Sequence, residues 1–293
     1  MIPVITIEGA TASGKSALAI VLAEALNTEI ISADSRQVYR YLDIGTAKVT
    51  KEEQKRVKHH LIDIINPDET YNAGAFVKDA SLIIEKLHSE GKIPVICGGT
   101  GLYIKALLKG LFFLPPLPQE IRQNLKQHLK EEGLAALYAE LKSLDPLFAE
   151  KISENDTQRI LRGLEVAIGT GIPLSEHWQK QKSSCKYNAF RILIDIPRPE
   201  LYQRINQRIE KMLAQGLLAE IENLFALGYD ENSPGLNCLG YKEFLPYFKK
   251  EAGLEECILL AAQHQRNYAK RQVTWYRKGN FDLVISPSGI TTF

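Results

Sequence analysis

Eight residues near the start of the chain, Gly9-Ala10-Thr11-Ala12-Ser13-Gly14-Lys15-Ser16, fit the pattern G-x-x-x-x-G-K-[ST] and restrict the fold more than any other feature. The pattern works where a strand ends and a helix begins. Val4 to Ile7 reads as that strand. Ser16 to Leu26 reads as that helix, with Leu18, Leu22, Ala25 and Leu26 on one face. Glycines let backbone N–H groups converge on phosphate oxygens, and the helix N-terminus adds partial positive charge. Lys15 supplies a full charge, and the Ser16 hydroxyl can ligate a phosphate-bound Mg²⁺. Such a cradle serves a kinase. It serves equally an enzyme whose leaving group is diphosphate, because both transition states gather negative charge on phosphate oxygens.

The next segments repeat the strand–helix alternation. Ile30-Ile31-Ser32, His60 to Ile64 and Ile93 to Cys97 read as strands, and Ala75 to Ser89 as a helix. This predicts an α/β fold with a P-loop NTPase-like parallel sheet and helices on both faces. After Leu114-Pro115-Pro116-Leu117-Pro118 only helical periodicity is seen, from about Glu120 to Gln181. Asp145-Pro146 and Asn155-Asp156 look like helix starts, and Gly169-Thr170-Gly171 like a stop. Phe190 to Ile196 resumes as a strand, followed by helical stretches at about Pro199 to Leu227 and Leu254 to Lys278. The 293 residues thus divide into a core of 1–116 and 189–293 and a helical insertion domain of 117–188.

Formal net charge is +1, so a nucleic-acid partner has to be argued from local basic patches. Apolar runs are far short of a membrane span, and no signal peptide is visible. Cys97, Cys185, Cys238 and Cys257 are scattered without metal-ligand spacing, which fits a reducing, cytoplasmic setting. His59-His60 lacks the further ligands a metal site needs and reads as structural, or as charge near the phosphates.

In a parallel sheet the carboxyl ends of the strands face one crevice. Asp34, after Ser32-Ala33, and Thr100, after Cys97-Gly98-Gly99, should therefore look toward the phosphate site. An aspartate there can bind metal or take a proton from a nucleophile. It can equally be a local turn former, which is common after a strand.

At these positions the chain resembles the tRNA dimethylallyltransferase (tRNA isopentenyltransferase) family. The likeness is carried by the phosphate loop, by Asp34-Ser35-Arg36-Gln37-Val38-Tyr39 and Asp43-Ile44-Gly45-Thr46-Ala47-Lys48, and by Gly98-Gly99-Thr100-Gly101-Leu102-Tyr103. It continues in Asn155-Asp156 with Gln158, Arg159 and Arg162, in Cys238-Leu239-Gly240-Tyr241, and in Ala269-Lys270-Arg271-Gln272-Val273-Thr274-Trp275. The resemblance implies transfer of a dimethylallyl group from its diphosphate to N6 of the adenosine 3′ of the anticodon, with Mg²⁺ bridging the diphosphate. Asp34 would be the general base, and Thr100 would hydrogen-bond beside it. Gly9, Thr11, Ala12, Ser13, Gly14, Lys15 and Ser16 would hold the diphosphate. Asp34, Ser35, Arg36, Gln37, Thr100, Arg122, Gln158, Arg159, Ile160, Leu161, Arg162, Asn237, Cys238, Gly240, Tyr241 and Lys242 would meet the anticodon arm of tRNA. The chain lacks the C-terminal zinc finger of many eukaryotic relatives, so it resembles the bacterial form, and a monomer is expected. The family often has Pro at the place of Ala10, and Arg at one or both ends of the segment where Asn237 and Lys242 stand. Lys keeps the charge without the bidentate fork, and Asn loses the charge.

On the last predicted helix, Arg266, Lys270, Arg271, Arg277 and Lys278 fall on one arc beside Tyr268 and Trp275, as phosphate contacts and base stacking would need. A solvated face with Trp275 in the core would give the same pattern. Adenylate isopentenyltransferase on free nucleotide, a P-loop small-molecule kinase and a non-catalytic P-loop module remain as other readings.

Overall fold

The computed structural model describes residues 1–110, 117–180, 186–286 and 289–291. The proline-rich junction at 114–116, Gln181 and Cys185 lie outside them. The chain forms two compact units, 1–109 with 185–293, and 110–184.

The first unit begins β1 (Ile2–Gly9), α1 (Lys15–Ala25), β2 (Ile30–Ser32), α2 (Lys51–Arg56), β3 (His59–His60), α3 (Ala73–Ser89), β4 (Val95–Gly98) and α4 (Gly101–Lys109). The second unit is helical: α5 (Gln119–Leu144), α6 (Pro146–Ala149), α7 (Thr157–Thr170) and α8 (Leu174–Lys180). The first unit resumes with β5 (Tyr187–Ile194), α9 (Arg198–Ala214), α10 (Leu217–Ala226), α11 (Leu245–Phe248), α12 (Leu254–Tyr276), β6 (Leu283–Ser286) and β7 (Gly289–Thr291).

The sheet runs β3-β2-β4-β1-β5-β6-β7. Every pairing is parallel except that of β7 with β6. β1 is central, with Ile7 level with Cys97 on one side and Ile192 on the other. Its side chains alternate between two cores, as the pleat requires. Val4 joins Ile31, Phe76, Ile96 and Ile104 on one face of the sheet. Ile7 joins Ile20, Val95, Ile205, Ile221 and Ala269 on the other, under α1, α9, α10 and α12. Each such side chain contributes about 1.5–3 kcal/mol when fully buried. β4 ends where Gly98 meets the β2 exit: a Cβ there would lie 2.1 Å from the Ala33 carbonyl oxygen.

Three expectations need correction. The strand expected at His60 to Ile64 pairs only at His59–His60. Leu61 and Asp63 adopt left-handed backbone, and the chain turns so that the Asp63 carboxylate reaches the Lys48 ammonium at 2.5 Å. The stretch at Pro199 to Leu227 is two helices, because Gly216 (φ 99°) breaks it before α10. The last long helix stops at Tyr276, so Arg277 and Lys278 lie beyond its final turn.

The expected starts within the helical unit have clear chemistry. Asp156 accepts from the Arg159 N–H at 3.1 Å and caps α7. Buried Asp145 caps α6 through the Phe148 N–H and also accepts from the Ser175 N–H at 2.8 Å. The stop at Gly171 is a left-handed cap. α5 is two arms broken at Gly133 (φ 81°). Its second arm crosses α7 at Gly163, where a Cβ would stand 2.7 Å from Leu141.

Gly98→Ala drives a methyl group into the Ala33 carbonyl, and a loss of about 1–3 kcal/mol is expected in urea-unfolding measurements.

Candidate active site

The loop after β1 uses positive φ at Gly9 (152°) and Gly14 (94°), and also at Ala12 (62°), which has no glycine's freedom there. At Gly9 a Cβ would stand 2.7 Å from the Ile194 carbonyl oxygen, so the loop leaves the sheet beside β5. Gly14 caps α1, and its Cβ direction is open space. Ser13 is buried with its Oγ unpaired. Lys15 folds back to the Ala10 carbonyl at 2.6 Å. Its pKa is pushed down to about 8, chiefly by desolvation. The Asp34 charge opposes that fall, and Arg208 adds to it.

Lys15, Ser16, Thr11, Ala12 and Gly14 line a cleft of about 430 Å³. Its other walls are Asp34 and Gln37 after β2, Gly98 and Gly99 after β4, Arg204, Arg208 and Lys211 from α9, and Tyr268 and Gln272 from α12. Four cations thus face a single carboxylate among these walls. The Arg208 guanidinium has only two hydrogen bonds among the described residues, both long, to Thr11 Oγ1 (3.3 Å) and the Thr46 carbonyl (3.4 Å). Burial lowers its pKa, and Asp34 opposes that shift. A guanidinium has five N–H donors, so most of this one's hydrogen-bonding capacity is free for an anion. Cys97, also in the wall, is pushed up to about 11 by burial and stays a thiol.

A second cleft of about 300 Å³ shares Thr11, Asp34, Thr46, Arg208 and Tyr268 with the first. Ser35, Arg36, Asn237, Cys238, Lys242 and Arg271 complete much of its wall. Asn237 and Lys242 are exposed, whereas Cys238, Gly240 and Tyr241 are buried. Asp34 stands at the junction of the two clefts. Its Oδ1 accepts from the N–H groups of Arg36 (2.8 Å) and Gln37 (3.4 Å). Its Oδ2 has no hydrogen bond among the described residues. The aspartate therefore forms the turn with one oxygen while its carboxylate lines both clefts. Thr100 Oγ1 accepts from the Ser35 N–H at 3.0 Å and holds that turn.

Arg208 lies in none of the sequence motifs, and Gln272 lies in one without an expected role. Gln272 is buried, accepts from the Thr11 N–H and donates to the Gly99 carbonyl, each at 2.8 Å, so it joins the phosphate loop to the β4 exit. A usable signal for Arg208 was present: Arg204, Gln207, Arg208 and Lys211 recur at helical spacing on one face of α9.

Within α12, Arg271 and Tyr268 line the second cleft, with the Arg271 guanidinium 5.7 Å from the Tyr268 ring centre. Arg266 is engaged instead with Asn206 at 2.9 Å. Trp275 is 40% exposed rather than a core residue, and it packs against Gly101.

In the helical unit Arg122, Gln158, Arg159 and Arg162 are exposed. Arg159 pairs with Asp156 at 3.4 Å and Arg162 with Glu165 at 2.7 Å. Ile160 is fully buried and Leu161 packs on the same core, so both side chains are used for packing.

The family model described as IPP transferase matches residues 37–279. The tRNA dimethylallyltransferase of Acetivibrio thermocellus is 44% identical over 277 residues, covering 94% of this chain and 88% of that protein. That of Carboxydothermus hydrogenoformans is 45% identical over 276 residues, with coverage of 94% and 88%. Among solved structures, the tRNA isopentenylpyrophosphate transferase of Bacillus halodurans superposes with a TM-score of 0.71 at 36% identity, covering 98% of this chain and 89% of that one. A eukaryotic dimethylallyltransferase captured acting on tRNA gives 0.83 at 31% identity, covering 98% and 74%.

An anion on the phosphate loop favours protonated Lys15. The Lys15-dependent part of the affinity for inorganic diphosphate, taken by calorimetry as the difference from Lys15→Met at each pH, should therefore be full well below pH 8 and decline as pH rises past about 8.

Proposed function

The chain belongs to the IPP transferase family, and from that premise we propose that it transfers a dimethylallyl group from dimethylallyl diphosphate to N6 of the adenosine 3′ of the anticodon in tRNA. The observation that carries this reading is the place of Asp34, between a cleft walled by the phosphate loop and one walled by Arg36, Lys242 and Arg271.

In the first cleft the diphosphate lies against the backbone of Thr11 to Ser16, Lys15 and Arg208. These donors are fixed before the reaction and act where charge grows as the C–O bond breaks. In the second cleft the adenosine enters, flipped from its stack, as chemistry on a base requires. N6 attacks the dimethylallyl C1, diphosphate departs with the bonding pair, and the N6 proton passes to Asp34 Oδ2. Thr100 keeps the Asp34 turn in place through Ser35.

Mg²⁺ fits this site on its donor chemistry. The Ser16 hydroxyl is a hard oxygen ligand in the same cleft, and the described residues hold no cluster of three His, Cys, Asp or Glu that would cage a metal. Mg²⁺ is ordinarily held largely by substrate phosphates and water. Ser16 would hold it, and it would neutralise charge on the departing diphosphate.

The exposed Arg122, Gln158, Arg159 and Arg162 make the helical unit the second place for tRNA to bind. The described residues contain no helix long and apolar enough to cross a membrane. Cys97, Cys238 and Cys257 are free thiols, in keeping with action in the cytoplasm.

The test is transfer of labelled dimethylallyl diphosphate to unmodified tRNA with Mg²⁺, with AMP and ATP as parallel acceptors. Label is expected in tRNA alone; label in free nucleotide would overturn the acceptor assignment. Asp34→Ala should cut turnover by about 10²–10⁴ while the donor still binds. Ser16→Ala should raise the Mg²⁺ concentration needed for half-maximal rate. Arg122→Ala with Arg162→Ala should weaken tRNA binding in filter assays and leave diphosphate affinity unchanged.

A further inference from the structure

Glu220, on α10, lines neither cleft, yet its carboxylate collects four donors. Oε2 accepts from the N–H groups of Asp43 (3.0 Å) and Ile44 (2.8 Å). Oε1 accepts from the Gly45 N–H (3.2 Å) and the Tyr241 phenol (2.6 Å). Three consecutive N–H groups converge on one anion only when the backbone curls around it. The curl needs room that Gly45 provides, since a Cβ there would stand 2.4 Å from the Tyr241 ring. It also needs Gly240, at φ 96°, where a Cβ would stand 2.7 Å from the Gly45 carbonyl oxygen. Buried Glu243 fixes Gly240 in turn by accepting its N–H at 2.9 Å.

The far end of the same loop is anchored separately. The Lys48 ammonium is bonded to Asp43 Oδ1 (2.6 Å), Asp63 Oδ1 (2.5 Å) and the Tyr39 carbonyl (2.8 Å). Between the two anchors lies Thr46, which lines both clefts and offers its carbonyl to Arg208.

We propose that Glu220 is a positioning residue for the transfer step: its carboxylate binds the Asp43–Gly45 backbone to Tyr241 and so sets the wall against which the acceptor adenosine is held. This rests on the transferase reading above. A carboxylate can satisfy all four donors. The isosteric amide of Gln has one acceptor oxygen and an NH₂ group that repels N–H, so donors are left unpaired. No hydrogen bond among the described residues joins Glu220 to the phosphate loop, and the one link toward the diphosphate cleft, from the Thr46 carbonyl to Arg208, is long (3.4 Å), so the donor diphosphate should sense the change far less than tRNA does.

The experiment is steady-state transfer by Glu220→Gln, with rates expressed per active site from a single-turnover burst. Expected are a kcat lowered about tenfold or more, a KM for tRNA raised several-fold, and a KM for dimethylallyl diphosphate within about twofold of the parent. Tyr241→Phe removes one donor of four and should give the same pattern with a smaller loss. A merely structural role would lower the melting temperature and the active fraction and leave the per-site constants at parental values. That result, or an equal rise in both KM values, would overturn the proposal. Should Glu220→Gln fail to fold, Tyr241→Phe decides alone: parental kcat and KM for tRNA would overturn it. Absence of transfer by the parent chain would instead remove the transferase reading beneath it.

Discussion

A strand hydrogen-bonded along both edges cannot shift without breaking two ladders, and β1 is such a strand. It is held by β4 on one side and β5 on the other, and the phosphate loop leaves from its end. The exits of β2 and β4 are brought within contact of each other because Gly98 has no side chain to keep Ala33 away. Asp34 and the loop therefore share one crevice, and Thr100 bonds the Ser35 turn beside it. Packing of β1 side chains into cores on both faces adds to this rigidity, so the N–H groups of the loop that follows are held on a fixed strand.

Charge at this crevice is local. The chain as a whole carries a formal net charge of +1, yet Lys15, Arg204, Arg208 and Lys211 converge on one cleft. Desolvation lowers the pKa of Lys15 and of Arg208, the direction expected where cations are enclosed with little anionic charge beside them. Asp34 opposes both shifts. A diphosphate would oppose them more fully. The site is thus complementary to a ligand more anionic than the protein itself supplies.

The loop from Asp43 to Lys48 is held at one end by a carboxylate, that of Glu220, which lines neither cleft. Polar groups enclosed in this way are stabilising only if every donor finds an acceptor. Glu220 and Lys48 satisfy one end each, and the intervening Thr46 is left to shape both clefts.

What the sequence alone determined was local. The phosphate loop, the strand–helix alternation, the helix starts at Asp145 and Asp156 and the turn after Asp34 each depend on residues within a few positions of one another. The strand expected at His60 to Ile64 was misread because a distant ammonium, Lys48, draws Asp63 out of the ladder. The family resemblance put Ile160 among the residues meeting tRNA, but its side chain is taken up by the core of the helical unit. The contacts of Arg208 and Gln272, and those of Glu220 with the Asp43–Gly45 backbone, join residues 162 to 261 positions apart. No spacing rule reaches that far. Those contacts exist only once α9, α10 and α12 have packed on the sheet, so tertiary structure alone decided them.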